Sequence, residues 1–543
     1  MNTADILLRG NVIFTGVEDE PMSGFIAIKD NQISAVEKGG NGNQYIGTST
    51  KVYDFKNQLI MPGFHDAHLH LMLGSLFTDF SIDLSTATSS EEVVQKVKEF
   101  SRSKDDGEWI IGNGWDEGSW EDVSVPPNRK ILDRHVPDSP VILFHAEGHY
   151  AWVNSKALEI ANITRETSNP PYGDIQKDDN GELTGVLLET AVSLVSDKAL
   201  LFPRERQYEL MESFLKHAAK CGVTSVNDLY ASRALAGIED YEFYKEFEDQ
   251  ENLTVRVHLY PALDGNFERV KNLRKRYKSP KLKFTGLKQF IDGVVTGYTA
   301  FMLDPYKDRP ETKGETAFSP EQIKKWVVEA DKEGFQIRFH AIGDGAVRLG
   351  LDAFEEAQNI NGNRDSRHAL EHIEVIHPED IKRFETLGVI PSIQPSHLAL
   401  MPSENHTSRI GEEKDNNAYT CKSLYEAAGN LAFGTDFPIS PLDPIKEIYY
   451  AVNRIDYSGA RIWNEQERIP VAAALKAYTS GAAHSVFRDH ELGTLEPGKL
   501  ADIVVLDKDL FSIPAEKIRE TKVLMTIMNG DVVFEEKYTL LSN

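Results

Sequence analysis

The sequence predicts an α/β protein: a (β/α)8 TIM barrel with a small β-sandwich built from both termini and an insertion subdomain after the first barrel strand. Three observations predict it. Eight short apolar, β-rich runs alternate with helical patterns. Both ends of the chain break into short alternating strands separated by turn residues. One gap between runs is roughly 150 residues long, where a βα crossover needs only a few tens.

The N-terminal runs Ile6 to Thr15, Gly24 to Ile28 and Ile33 to Val36 read as small hairpins, and the C-terminal residues behave alike. There, Asn529-Gly530 between Thr526 to Met528 and Val532 to Phe534 is a favoured hairpin turn. Residues 1–60 and 490–543 are therefore assigned to the sandwich and 61–489 to the barrel. The barrel runs are Gln58 to Phe64, Gly222 to Leu229, Thr254 to Tyr260, Phe284 to Ile291, Phe335 to His340, His368 to Ile373, Val389 to Gln394 and Leu431 to Asp436. Helical segments fill the gaps. Pro320 to Glu333, for example, has Ser319 as its cap, proline in its first turn and Gly334 as its stop. The long gap places an inserted subdomain over residues 81–200.

A net charge of -26 over 543 residues excludes nucleic acid and anionic membranes as natural partners and leaves a small molecule. Cys221 and Cys421, far apart, predict no disulfide framework and a reducing cytoplasm. Met1 to Gly16 alternates instead of forming an export signal, and no stretch reaches the roughly 18 apolar residues of a membrane span. A homodimer is the default assembly for such a protein.

The chemistry concentrates at the ends of the runs. In Met61-Pro-Gly-Phe-His-Asp-Ala-His-Leu-His70, His68 and His70 are two apart in extended chain and project to one side, where they can hold one metal; His65 has the opposite parity. His340, His372 and Asp436 end the fifth, sixth and eighth runs. Parallel strands in a barrel bring their C-terminal ends to one face, so these residues converge. Imidazole and carboxylate suit Zn2+, with Fe2+ and Mn2+ as other occupants. Lys288 ends the fourth run and has two readings: an amine that reacts with CO2 to give a metal-bridging carbamate, or a lysine paired with Asp292.

Taken together, Pro-Gly-Phe-x-Asp-x-His-x-His, Gly-Thr-Asp436 and Leu-Glu-Pro-Gly-Lys-Leu-Ala-Asp-Ile-Val resemble the amidohydrolase superfamily over almost the whole chain. Gly114-Trp-Asp-Glu117, Gly148-His-Tyr-Ala-Trp-Val-Asn-Ser-Lys-Ala-Leu158 and Gly181-Glu-Leu-Thr-Gly-Val186 look like the subgroup that contains N-substituted formamide deformylase. The resemblance implies that His68 and His70 bind a more buried metal, that carboxylated Lys288 bridges, and that His340 and His372 bind a more exposed one. Asp436 would contact metal and shuttle the proton, with His372 as its catalytic companion. In a site with a single metal the ligands would be His68, His70, His340 and Asp436.

The implied activity is hydrolysis of a non-peptide, amide-type C–N bond by metal-activated water. Alternatives are a deaminase of the same superfamily and a non-catalytic scaffold. Trp115, His149, Trp152 and Asn154 from the insertion, and Gln394 and His397 after the seventh run, are offered as substrate contacts, with plain loop structure as the competing reading.

Overall fold

The computed structural model describes residues 3–536 apart from 106, 122–124, 147, 149 and 172. The chain divides into two compact units, one formed by Met1–Leu69, Leu215–Tyr230 and Phe247–Asn543, the other by His70–Phe214 and Ala231–Glu246.

The first unit is α/β. Phe64–Leu69, Val223–Leu229, Arg256–Tyr260 and Leu282–Phe284 make a four-stranded sheet, and Gly286–Phe290, Gln336–Ala341, Ala369–His372, Ile390–Ile393 and Ala432–Phe433 a five-stranded one. Every pairing in both is parallel. The run expected at Phe284 to Ile291 is thus two pieces, Leu282–Phe284 and Gly286–Phe290, that hand the chain from one sheet to the other. Two isolated parallel bridges, Leu69 to Phe437 and Ala262 to Lys288, lie between segments of the two sheets. Helices return the chain between strands. Pro320–Lys332 begins where Ser319 accepts a hydrogen bond from the Gln322 amide, and it stops just before Gly334 at φ 74°.

The first expected run needs correction. Leu59–Pro62 does not open the parallel sheet; it pairs with Ile6–Ile13 and Ile503–Leu506, and the parallel strand starts after Gly63, at Phe64. The sequence cannot separate the two strands, because buried strands on both sides of one glycine read as a single apolar run.

The terminal strands Ile6–Ile13, Met22–Lys29, Gln32–Lys38, Lys51–Asp54, Leu59–Pro62, Ile503–Leu506, Val523–Met528 and Asp531–Glu535 belong to one eight-stranded sheet. Its last hairpin turns at Asn529 and Gly530, both at positive φ. Its strands bury a shared aliphatic core that includes Leu8, Ile26, Ile60, Ile503, Val505 and Ile527. Arg256, from the four-stranded parallel sheet, forks onto Asp502 with bonds of 2.8 and 3.0 Å, both side chains being buried. No helix among the described residues is long and apolar enough to cross a membrane, and Cys221 and Cys421 are unbridged.

The second unit carries a six-stranded mixed sheet, Gly173–Lys177, Leu183–Glu189, Tyr150–Val153, Val141–His145, Ile110–Trp115 and Ile82–Asp83 in spatial order. Trp115, Trp120 and Trp152 pack with Val141, Leu143 and Leu132 into its core.

Candidate metal centre

His68 lies one residue before the end of the Phe64–Leu69 strand and is 1% exposed. Its Nδ1 is 2.8 Å from Glu371 Oε2, and its Nε2 is 3.3 Å from Asp436 Oδ1. Burial alone would raise the Glu371 carboxyl, but Arg338, 2.8 Å from Oε1, and His68 hold it down at about 2. An ionised carboxylate only accepts, so His68 donates from Nδ1 and turns Nε2 toward Asp436. An imidazole nitrogen set against a carboxylate oxygen is a pair of ligand-type atoms placed to share a cation.

His340 and His372 converge on the same point. Their ring centroids are 4.4 Å apart, and those of His372 and His68 are 4.9 Å apart. His340 Nε2 is 3.1 Å from the Gly293 carbonyl, which only accepts; Nε2 therefore carries the hydrogen, and Nδ1 is the donor atom left for a metal. Burial, with Lys288 adding to it, pushes His340 down to about 3, and burial with His340 holds His372 well below the usual imidazole value. Both rings are neutral, as ligands must be. His372 Nδ1 has no hydrogen-bond partner among the described residues.

Asp436, His372 and His397 each offer an atom within 4.8 Å of the others. Backbone strain accompanies the site: His372, Ile373 and Asp436 have φ of 72°, 51° and 57°. Asp66 ties the first strand to the last, accepting from the amides of His68 and Thr435 at 3.1 Å each and from the Thr435 hydroxyl at 2.8 Å. Gly434 makes that closeness feasible, since a Cβ there would lie 2.4 Å from the His68 nitrogen.

Lys288 is 1% exposed, and burial lowers its amine to about 8 against the pull of Glu371 and Asp436. The pairing with Asp292 is not formed. Asp292 accepts instead from the amides of Phe301, Ile342 and Gly343 at 2.9 to 3.0 Å. Gln394 is buried with both amide atoms unpartnered among the described residues. His65 stacks on His258 and meets Asn227 at 3.0 Å, away from the metal-facing set.

His70 is the first residue of the second unit and stands at the N-cap position of Leu71–Ser75. Three contacts expected from the insertion are corrected. Asn154 is fully buried and spends its amide on the nitrogens of Val141 and Ala157 and the carbonyls of Val136 and Ser139. Trp115 donates to the Leu143 carbonyl at 2.8 Å, and Trp152 is wholly buried in the same core. These side chains hold the second unit together and have no surface left for a substrate. His149 lies outside the described residues. The Gly114-Trp-Asp-Glu117 segment instead sets carboxylates against an imidazole, with His145 Nε2 3.2 Å from Glu117 and 3.7 Å from Asp116.

Sequence reasoning did not assign Glu371, Arg338, Asp66 or Glu374. Their signal was available: a charged residue inside an apolar strand is expensive unless paired, and Arg338 and Glu371 each interrupt such a run.

Neutral imidazoles, a carboxylate and a buried lysine gathered on and just after the parallel strands are the kind of donor set a metal-dependent hydrolase uses, and the orphaned ring nitrogens of His372 and His397 fit a divalent cation. The chain belongs to the amidohydrolase family, whose model matches residues 51–534. It is 31% identical to the protein LONG AFTER FAR-RED 3 of Arabidopsis thaliana, over 98% of this chain and 92% of that protein. It is 27% identical to N-substituted formamide deformylase of Arthrobacter pascens, over 92% and 95%. An uncharacterised metal-dependent hydrolase of Pyrococcus furiosus superposes with a TM-score of 0.74 at 28% identity, covering 93% of this chain and all of that one.

Proposed function

We propose that the protein hydrolyses a non-peptide, amide-type C–N bond, releasing a carboxylic acid and an amine. The observation that carries this reading is the pair of ligand-type atoms, His68 Nε2 and Asp436 Oδ1, 3.3 Å apart, with His340 and His372 beside them. The formamide deformylase likeness supports an N-formyl or N-acyl amine as substrate. The two isolated bridges support a closed eight-stranded barrel, and the pairing of strands from both termini in one sheet supports residues 1–60 and 490–543 as one appendage, the sandwich, with 81–200 as the insertion. Unbridged cysteines support a reducing, cytoplasmic setting.

His68, His70, His340, His372 and Asp436 would hold one or two divalent cations, with zinc the natural choice and carboxylated Lys288 the bridge if there are two. A cation bound there supplies Lewis acidity, lowering the pKa of water from 15.7 to about 7 and polarising the carbonyl. Asp436 takes the proton of the attacking water. The carbonyl carbon becomes tetrahedral, and His372, where it does not hold the cation, would stabilise its oxyanion. Asp436 then returns the proton to the leaving nitrogen, so that the C–N bond breaks to a neutral amine. Gln394, a donor and an acceptor with neither used, is suited to the amide or acid end of the substrate.

Asp436→Asn tests the assignment. With a formanilide or other N-acyl amine as substrate, turnover should fall at least about 100-fold while metal content, measured by elemental analysis, stays near wild type. Near-normal turnover removes Asp436 from proton transfer, and less than one equivalent of metal in the wild-type protein removes the whole reading.

A further inference from the structure

The surroundings of His68 occur twice. On one side, Glu371 faces His68 Nδ1 and His68 Nε2 faces Asp436 Oδ1. On the other, Glu374 Oε1 is 3.6 Å from His397 Nδ1, and His397 Nε2 is 3.7 Å from Asp436 Oδ2. The two oxygens of one carboxylate thus each look at an imidazole whose far nitrogen looks at a glutamate. His372 stands between the two rings, 4.9 Å from His68 and 5.7 Å from His397, nearly parallel to the latter at 13°.

The second arm is looser than the first, with contacts of 3.6 and 3.7 Å against 2.8 and 3.3 Å, but it is buried in the same way. His397 is 6% exposed, and its Nε2 finds no hydrogen-bond partner among the described residues. The second oxygen of Glu374 is 3.7 Å from His406 Nε2, and His406 is wedged against the rings of Tyr419 at 5.3 Å and Trp463 at 5.5 Å. A carboxylate behind the ring favours hydrogen on Nδ1 and leaves Nε2 to face Asp436, and this carboxylate–imidazole arrangement is one that orients metal ligands. The Ala369–His372 strand and the two residues after it supply both glutamates within four residues, Glu371-His-Ile-Glu374. The left-handed turn at His372 and Ile373 is what separates them to the two sides.

We propose that His397 is a metal ligand through Nε2, sharing a cation with His372 and Asp436, and that Glu374, braced by His406, is its positioning residue. This replaces the expectation that His397 touches only substrate, and it rests on the metal reading above.

The test is Co2+ binding to the stripped full-length protein, read by chelator competition and by the visible absorption of bound Co2+. His397→Ala should weaken one equivalent more than about tenfold and alter its spectrum, and Glu374→Gln should weaken the same equivalent by about 10- to 100-fold. Added imidazole should restore the His397→Ala spectrum, which a merely structural residue would not allow. If His397→Ala does not fold, the near-isosteric Glu374→Gln decides alone. Wild-type affinity and spectrum in the variants, with only KM raised, overturn the proposal. A wild-type protein that takes up no Co2+ overturns the metal reading itself, a different result from unchanged binding in the variants.

Discussion

Glu371 shows how much of a site can rest on a side chain that touches no substrate. It holds the hydrogen of His68 in place and neutralises Arg338, all three groups being buried. Glu371→Gln should raise the metal dissociation constant by about 10- to 100-fold, measured by chelator competition. It should also destabilise the fold by about 3–5 kcal/mol by stranding the Arg338 guanidinium, seen as a lowered urea midpoint. At this scale the sequence was readable for residues whose chemistry is rare at strand ends: His68, His340, His372 and Asp436 were visible by type and position. The orienting carboxylates were not, because a glutamate next to a histidine has no meaning until the backbone turns. Asn154 and the tryptophans misled for the complementary reason. Composition records an aromatic or an amide but not whether the fold has already buried it.

Between elements, close approach decides. Gly434→Ala would push a methyl into the His68 amide, separating the last parallel strand from the first; about 1–3 kcal/mol of destabilisation is expected, with reduced metal occupancy in elemental analysis. A second contact, far from the metal groups, sets the acid limb of stability. Asp331 at the end of the Pro320–Lys332 helix receives His368 at 3.2 Å and Arg364 at 2.7 Å. Burial would raise its carboxyl, yet His368 and Asn361, followed by Arg364, hold it at about 2 against an ordinary 3.8. Because the folded value lies below the unfolded one, this stability is fully present above pH 4 and drains away as pH falls toward 2. Asp331→Asn should therefore cost about 2 kcal/mol at pH 7 and flatten the acid limb of the urea midpoint between pH 4 and 2. Strand existence was legible throughout, since period-2 and apolar runs announce themselves. The strand break at Gly63 was not, because distant partners decide to which sheet each half belongs, Ile503–Leu506 for the first half and Val223–Leu229 for the second.

Across the molecule, the buried Arg256–Asp502 fork joins the first parallel sheet to the strands contributed by the chain's end. Asp502→Ala leaves the guanidinium unpaired and should cost about 3–5 kcal/mol, lowering the thermal midpoint of a protein whose metal groups are untouched. The pairing of Met61 with Val504 carries a temporal consequence. Ribosomes emit about 5–20 residues per second, so on the order of 20–90 s separates synthesis of the first half of that ladder from its partner. Throughout that interval the nascent segment leading into His68 has one open edge, and Asp436 is itself made only late in it, which exposes the unfinished chain to chaperones before the proposed cation-binding groups are complete.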